Sequence, residues 1–142
     1  MQQTLIAFEV SQRVDEDVAA SLVRAARRCG IDHFFGVVND DHFVKPESMA
    51  FTVALTVEDL EKFSQELVGL NAVLVHPGSP VFLLATVDDY SVLAASSSFI
   101  TEYEPDPRHA IEEFRGHAMT QDPALRPVAL RALDLFERYG PR

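Results

Sequence analysis

Period-two alternation opens the chain. In "TLIAFEV", residues 4–10, Ile6, Phe8 and Val10 alternate with Leu5, Ala7 and Glu9, which predicts a strand with one apolar and one mixed face. The period then lengthens, and Val14, Val18, Leu22, Ala25 and Cys29 recur at helical spacing. Asp15, Glu16 and Asp17 occupy the first turn, arginines the last, and Gly30 follows as terminator, an order that suits both the helix dipole and a glycine stop. "HFFGVV" (33–38) predicts a short strand, and "MAFTVAL" (49–55) another, with Met49, Phe51, Val53 and Leu55 on one face. Thr56-x-x-Asp59 resembles a capping box with Asp in place of the usual Glu or Gln, opening a second amphipathic helix through Leu60, Phe63, Leu67 and Leu70. "AVLV" (72–75) predicts a fourth strand and "HPGSP" (76–80) a turn. "VFLLATV" and "YSVLAA" flank Asp88-Asp89 as the two arms of a hairpin, and "AASSSF" (94–99) reads as a strand end leading to a turn of helix.

From residue 106 the pattern is helical. Asp106 is placed as an N-cap, Pro107 at the first helical position, and Ala110, Ile111, Phe114 and Ala118 as the buried stripe. The last helix is most regular from Pro127 to Tyr139. Between Val128 and Tyr139 only Arg131, Asp134, Glu137 and Arg138 are polar, so the apolar band is wider than a surface helix needs. Such a helix is either sandwiched within its own domain or shared with a second chain.

The predicted order is β-α-β-β-α-β-β-β-α-α. It implies an α+β fold, an antiparallel or mixed sheet of about five or six strands with helices mainly on one face. The first half matches the element order of a ferredoxin-like unit. The whole, 1–142, reads as a single domain with a C-terminal helical pair at about 106–139.

Chemistry-bearing residues are present, but their spacing assembles no familiar machinery. In "FFGVVNDDHFVKPES" (34–48), Asp40 and His42 project to the same side of an extended chain, and His33 or His76 would have to join them to hold a metal. Turn propensity at Asn39-Asp40-Asp41 and the extended geometry before Pro46 favour a connector instead. His109, Glu113 and His117 lie four apart in sequence, which sets the two imidazoles about 12 Å from each other on a helix, too far for one zinc. Either histidine pairs naturally with Glu113. Cys29 falls on the apolar stripe near a helix C-terminus, where a thiol is structural rather than activated. Ser79 and Ser96 to Ser98 have no nucleophile-elbow context, and Asp88 and Asp89 point to opposite sides if extended. No phosphate loop, dinucleotide fingerprint or paired-cysteine motif occurs. No catalytic residue, metal or cofactor is assigned from the sequence.

Composition narrows the function classes. The formal charge of −10 is spread over both halves of the 142 residues, and a field of that sign repels nucleic-acid phosphates and anionic membranes. No apolar run approaches the roughly 20 residues of a membrane span, and the first residues lack a signal-peptide layout. With one cysteine and no intrachain disulfide, the expected address is the cytoplasm. The leading expectation is a small protein-binding protein of the immunity, inhibitor or accessory-subunit kind, with a basic protein as partner. Its contact residues would be Asp40, Asp41, His42 and Phe43 in one loop and Glu102, Tyr103, Glu104 and Asp106 in another, together with the apolar C-terminal helix. One alternative is a small enzyme or ligand-binding domain with a pocket near Asp40, His42 and His76. Another is a structural homo-oligomer, such as a homodimer packed through the C-terminal helix.

Overall fold

The computed structural model describes residues 2–8, 14–38, 50–66, 72–78, 81–85 and 90–140. Among them the chain order is β1 (Gln2–Phe8), α1 (Glu16–Arg28), β2 (His33–Val38), β3 (Ala50–Ala54), α2 (Val57–Glu66), β4 (Ala72–His76), β5 (Val81–Ala85), β6 (Tyr90–Ser96), α3 (Ser97–Tyr103), α4 (Pro107–Thr120) and α5 (Arg126–Tyr139). The fold is α+β, with every strand pairing antiparallel.

Local chemistry accounts for the starts of four helices and the end of one. Asp15 caps α1 by accepting a hydrogen bond from Val18 N at 2.9 Å, and Gly30, with φ of 73°, supplies the left-handed residue that turns the chain into β2. Thr56 caps α2, its hydroxyl accepting from Asp59 N at 3.1 Å. The Asp59 carboxylate is one methylene shorter than the glutamate of a full capping box, and it accepts from the Thr56 hydroxyl at 2.6 Å. Asp106 caps α4 through His109 N at 3.1 Å, with Pro107 in the first turn. "AASSSF", expected as a turn of helix, begins a full seven-residue helix, because Ser96 Oγ accepts from Phe99 N and caps it.

The sheet order is β1-β6-β5-β4-β2-β3. This order corrects the ferredoxin-like expectation. β3–α2–β4 is a split β-α-β unit, with β2 lying between two strands that run parallel to each other. The preceding β1–α1–β2 is not, because the hairpin β5–β6 and β4 separate β1 from β2. Element order alone cannot distinguish these arrangements, since the later hairpin competes for the same edge.

One face of the sheet holds the core. Phe34, Val53, Leu74, Leu83 and Leu93 are buried and join Leu22 and Ala26 of α1, Leu60 and Phe63 of α2, and Phe99 and Ile100 of α3 in a single apolar cluster. On alternate positions, Phe35 stays 37% exposed, and Val37, Val73, Val75 and Val92 are half-buried. α4 and α5 pack on each other and on β1. Arg115 of α4 bonds both Glu112 and, at 2.8 Å, Glu137 of α5, holding the pair together. Ala129, Ala132, Leu133 and Phe136 of α5 are buried, whereas Leu130 and Leu135 are exposed. At 100° per residue those two leucines lie on opposite shoulders of the buried stripe, so the wide band is one core-facing stripe with two exposed flanks.

Candidate interaction site

β3 ends the sheet, with β2 on one side and no described strand on the other. Phe51, Thr52 and Ala54 of this strand are exposed, and Phe51 retains 39% of its surface although it shares a face with buried Val53 and Leu55. The neighbour that produces this geometry is Gly36. It lies opposite Phe51 in the β2–β3 register. A Cβ at Gly36 would overlap Phe63 Cε2 and would stand 3.1 Å from Phe63 Cδ2 and 3.2 Å from Phe51 Cε2. The missing side chain is therefore the notch into which α2 lowers Phe63, and Phe51 leans over the same ring at a centroid distance of 5.4 Å. Between β3 and α2 this leaves a cleft of about 170 Å³, with Phe51 and Phe63 beside Thr52 and Ala54 and with Asp59, Lys62 and Glu66 along the helix.

A second cavity, about 500 Å³, lies where the end of α1, the turn after β4 and the start of α3 meet. Ile31, Val81 and Phe99 are its apolar lining, and Ser96, Ser98, Cys29 and the Arg28–Glu102 pair (3.0 Å) supply its polar groups. Burial first, and then the charge of Glu102, push the Cys29 thiol above its ordinary range, so it lines the cavity as a neutral group. Nearby, His33 Nδ1 lies 2.6 Å from Asp32 Oδ1, and the His33 and His76 rings meet edge-on at 5.8 Å. The hydrogen bond with His33 holds the Asp32 carboxyl below the usual range. Among the described residues no three His, Cys, Asp or Glu side chains gather as a metal-binding group.

The expected contact residues fall into two sets. Asp40, Asp41, His42 and Phe43 lie outside the described residues, as do Ser79, Asp88 and Asp89, although the segment 39–49 does join the paired strands β2 and β3. Glu102 is ion-paired to Arg28, and the carbonyls of Glu102 and Tyr103 accept from Arg24 at 3.3 and 3.1 Å. Tyr103 is only 8% exposed, so its ring belongs to the core and offers a partner little surface. The Glu104 carboxylate accepts from Asp106 N at 2.9 Å, and Asp106 caps α4. In short, "TEYEP" anchors α3 to α1 and starts α4. His109 pairs with Glu113 at 3.2 Å, and His117 sits against Gln121 and the Phe114 ring.

No protein-family model matches the sequence, and comparison with curated proteins and with solved structures returns no match. No described helix is long and apolar enough to cross a membrane. The cleft beside β3 was missed by sequence reasoning. A lone glycine inside the strand pattern "HFFGVV", which marks a close approach by another element, is the signal that could have revealed it.

Proposed function

We propose that this chain is a protein-binding protein, of the inhibitor, immunity or accessory-subunit kind, that takes up an extended segment of its partner along β3. One observation carries the reading: the terminal strand of the sheet has exposed residues and is flanked by a helix-walled cleft. Main-chain groups on a free edge pair with any extended backbone, and pockets beside the edge then select side chains. An unprotected edge is ordinarily a hazard that proteins blunt with charge, bulges or a covering element. Here the charge sits on the rim of α2, where it admits a strand of the right kind. The overall charge of −10 would speed encounter with a basic partner.

The test is to isolate the partner from the native cell and map its footprint by amide hydrogen exchange. Slowed exchange over 51–54 with shielding of α2 is the expected result. A footprint confined to other elements would remove the reading. A second reading, small-ligand binding, is favoured by the 500 Å³ cavity, which lies within the size range of ligand pockets. A thermal-shift screen of metabolites against the wild type and Ser98→Phe separates the two, because only a ligand in that cavity loses its shift in the variant.

A further inference from the structure

We infer that the segment received by the β3–α2 cleft is basic and apolar in alternation, with Lys or Arg beside α2 and one aromatic or branched residue over Phe63. The inference rests on the strand-addition reading above and supplies the chemistry of the partner.

Three features converge on it. First, β3 presents five residues, Ala50–Ala54, about 17 Å of edge at 3.3 Å per residue, which fits one short strand and little more. Second, the cleft of about 170 Å³ is comparable to the roughly 150 Å³ that holds a benzene-sized group, so a single ring or branched aliphatic side chain fills it. Its floor is the ring pair Phe51–Phe63, an apolar and aromatic surface. Third, α2 reads VEDLEKFSQE, with Glu58, Asp59, Glu61 and Glu66 against Lys62 alone. Asp59 and Glu66 flank Lys62 along the cleft itself. Side chains of an added strand alternate between the two faces of the sheet, so those on the α2 side recur every second residue. The central one enters the cleft over Phe63, and its neighbours on that side come alongside the carboxylates.

The same charges oppose a second copy of this chain as occupant. β3, AFTVA, contains no basic residue, and pairing two β3 edges would bring two acidic α2 rims and two bodies of charge −10 together. A heterologous basic segment meets no such repulsion.

Four ten-residue peptides test this against the intact chain by calorimetry at low and moderate salt. One alternates Lys and Val around a central Phe, one replaces every Lys with Glu, one interrupts the basic sequence with proline, and one scrambles it. The expected result is binding of the alternating basic peptide, at least tenfold weaker binding of the other three, and weakening by salt. Glu66→Lys should shrink the preference for the basic over the acidic peptide several-fold. Equal affinity for basic and acidic peptides would overturn the charge assignment and leave strand addition standing. Undiminished binding of the proline or scrambled peptide would show charge adhesion and overturn the strand. Concentration-dependent dimerisation that Glu66→Lys strengthens, without peptide binding, would give the site to a second copy. If no peptide binds and the natural partner's footprint avoids β3, the underlying reading fails as well.

Discussion

Gly36→Ala is the substitution that probes the notch most directly. In an ordinary strand, replacing glycine by alanine removes backbone freedom from the unfolded chain and favours folding by about 0.5–1 kcal/mol. At Gly36 the new methyl would come closer than 3.0 Å to Phe63 and within 3.2 Å of Phe51. Carbon pairs rest at about 3.5–4.0 Å, so the overlap exceeds about 0.5 Å and the Phe63 ring has to move. Phe63 is buried beneath α2, and overpacking of such a site costs about 1–3 kcal/mol. The net expectation is a destabilisation of about 0.5–2 kcal/mol, the opposite sign from a free strand glycine. Phe63→Leu removes Cε2, the atom nearest to the new methyl, so Gly36→Ala made on that background should be neutral or stabilising. Urea denaturation of the wild type, the two single variants and the double variant then yields a coupling of about 1–2 kcal/mol with unchanged m values. Additivity within about 0.5 kcal/mol, or a stabilising Gly36→Ala in the wild type, would refute the notch and with it the account of how Phe51 is held out on the edge.

Ser64→Ala removes the hydroxyl that accepts from Val14 N at 2.7 Å across fifty residues. A buried N–H left unpaired costs about 1–3 kcal/mol, so calorimetry should show a lowered Tm, and a loss below about 0.5 kcal/mol would mean that water or another acceptor replaces Ser64. Arg24→Met should cost about 1 kcal/mol by removing the donors to the Glu102 and Tyr103 carbonyls, with hydrogen exchange fastest at the end of α3; unchanged protection there would contradict the anchor. Cys29 should react with alkylating reagents more slowly than a free thiol at pH 7, and Glu102→Gln should accelerate it. Since the folded thiol keeps its proton to higher pH than the unfolded one, this group's contribution to stability is complete below the unfolded thiol's pKa. It is lost as pH rises through the folded value. A reaction rate equal to that of a model thiol would contradict the placement of Cys29.

Much of the fold is legible in the chain because its signals are local. α1 follows from Val14, Val18, Leu22 and Ala25 with an acidic start and Gly30 at its end, and α4 from Asp106 and Pro107. β2 can be read from "HFFGVV" to its last residue. What could not be read depends on contacts between distant segments. The serine run at 96–98 looks like turn chemistry until Phe99 and Ile100 find a core to bury in, and only then does α3 become a helix. Glu102 looks like a free acidic contact residue, because Arg28, its ion-pair partner, lies more than seventy residues away in the chain.

The same distinction explains why the candidate site escaped the pattern. Met49, Phe51, Val53 and Leu55 share one face by alternation, and alternation assigns them one environment. Val53 and Leu55 are buried and Phe51 is not, although all three share one face of one strand: Val53 stands opposite Phe34, whereas Phe51 stands opposite Gly36, which has no side chain to cover it. Strand order adds to this, since β5 and β6, some forty residues later, lie between β4 and β1 and leave β3 at the opposite end with no described strand beyond it. An exposed aromatic beside buried aliphatic residues on the same strand face is thus evidence about its neighbours across the sheet. At Phe51 it coincides with a glycine whose absent side chain lets a helix approach, and the two together define a groove between strand and helix. A search for convergent catalytic side chains passes over such a groove, since the binding groups proposed for it are backbone N–H and C=O, which every residue except proline carries in full.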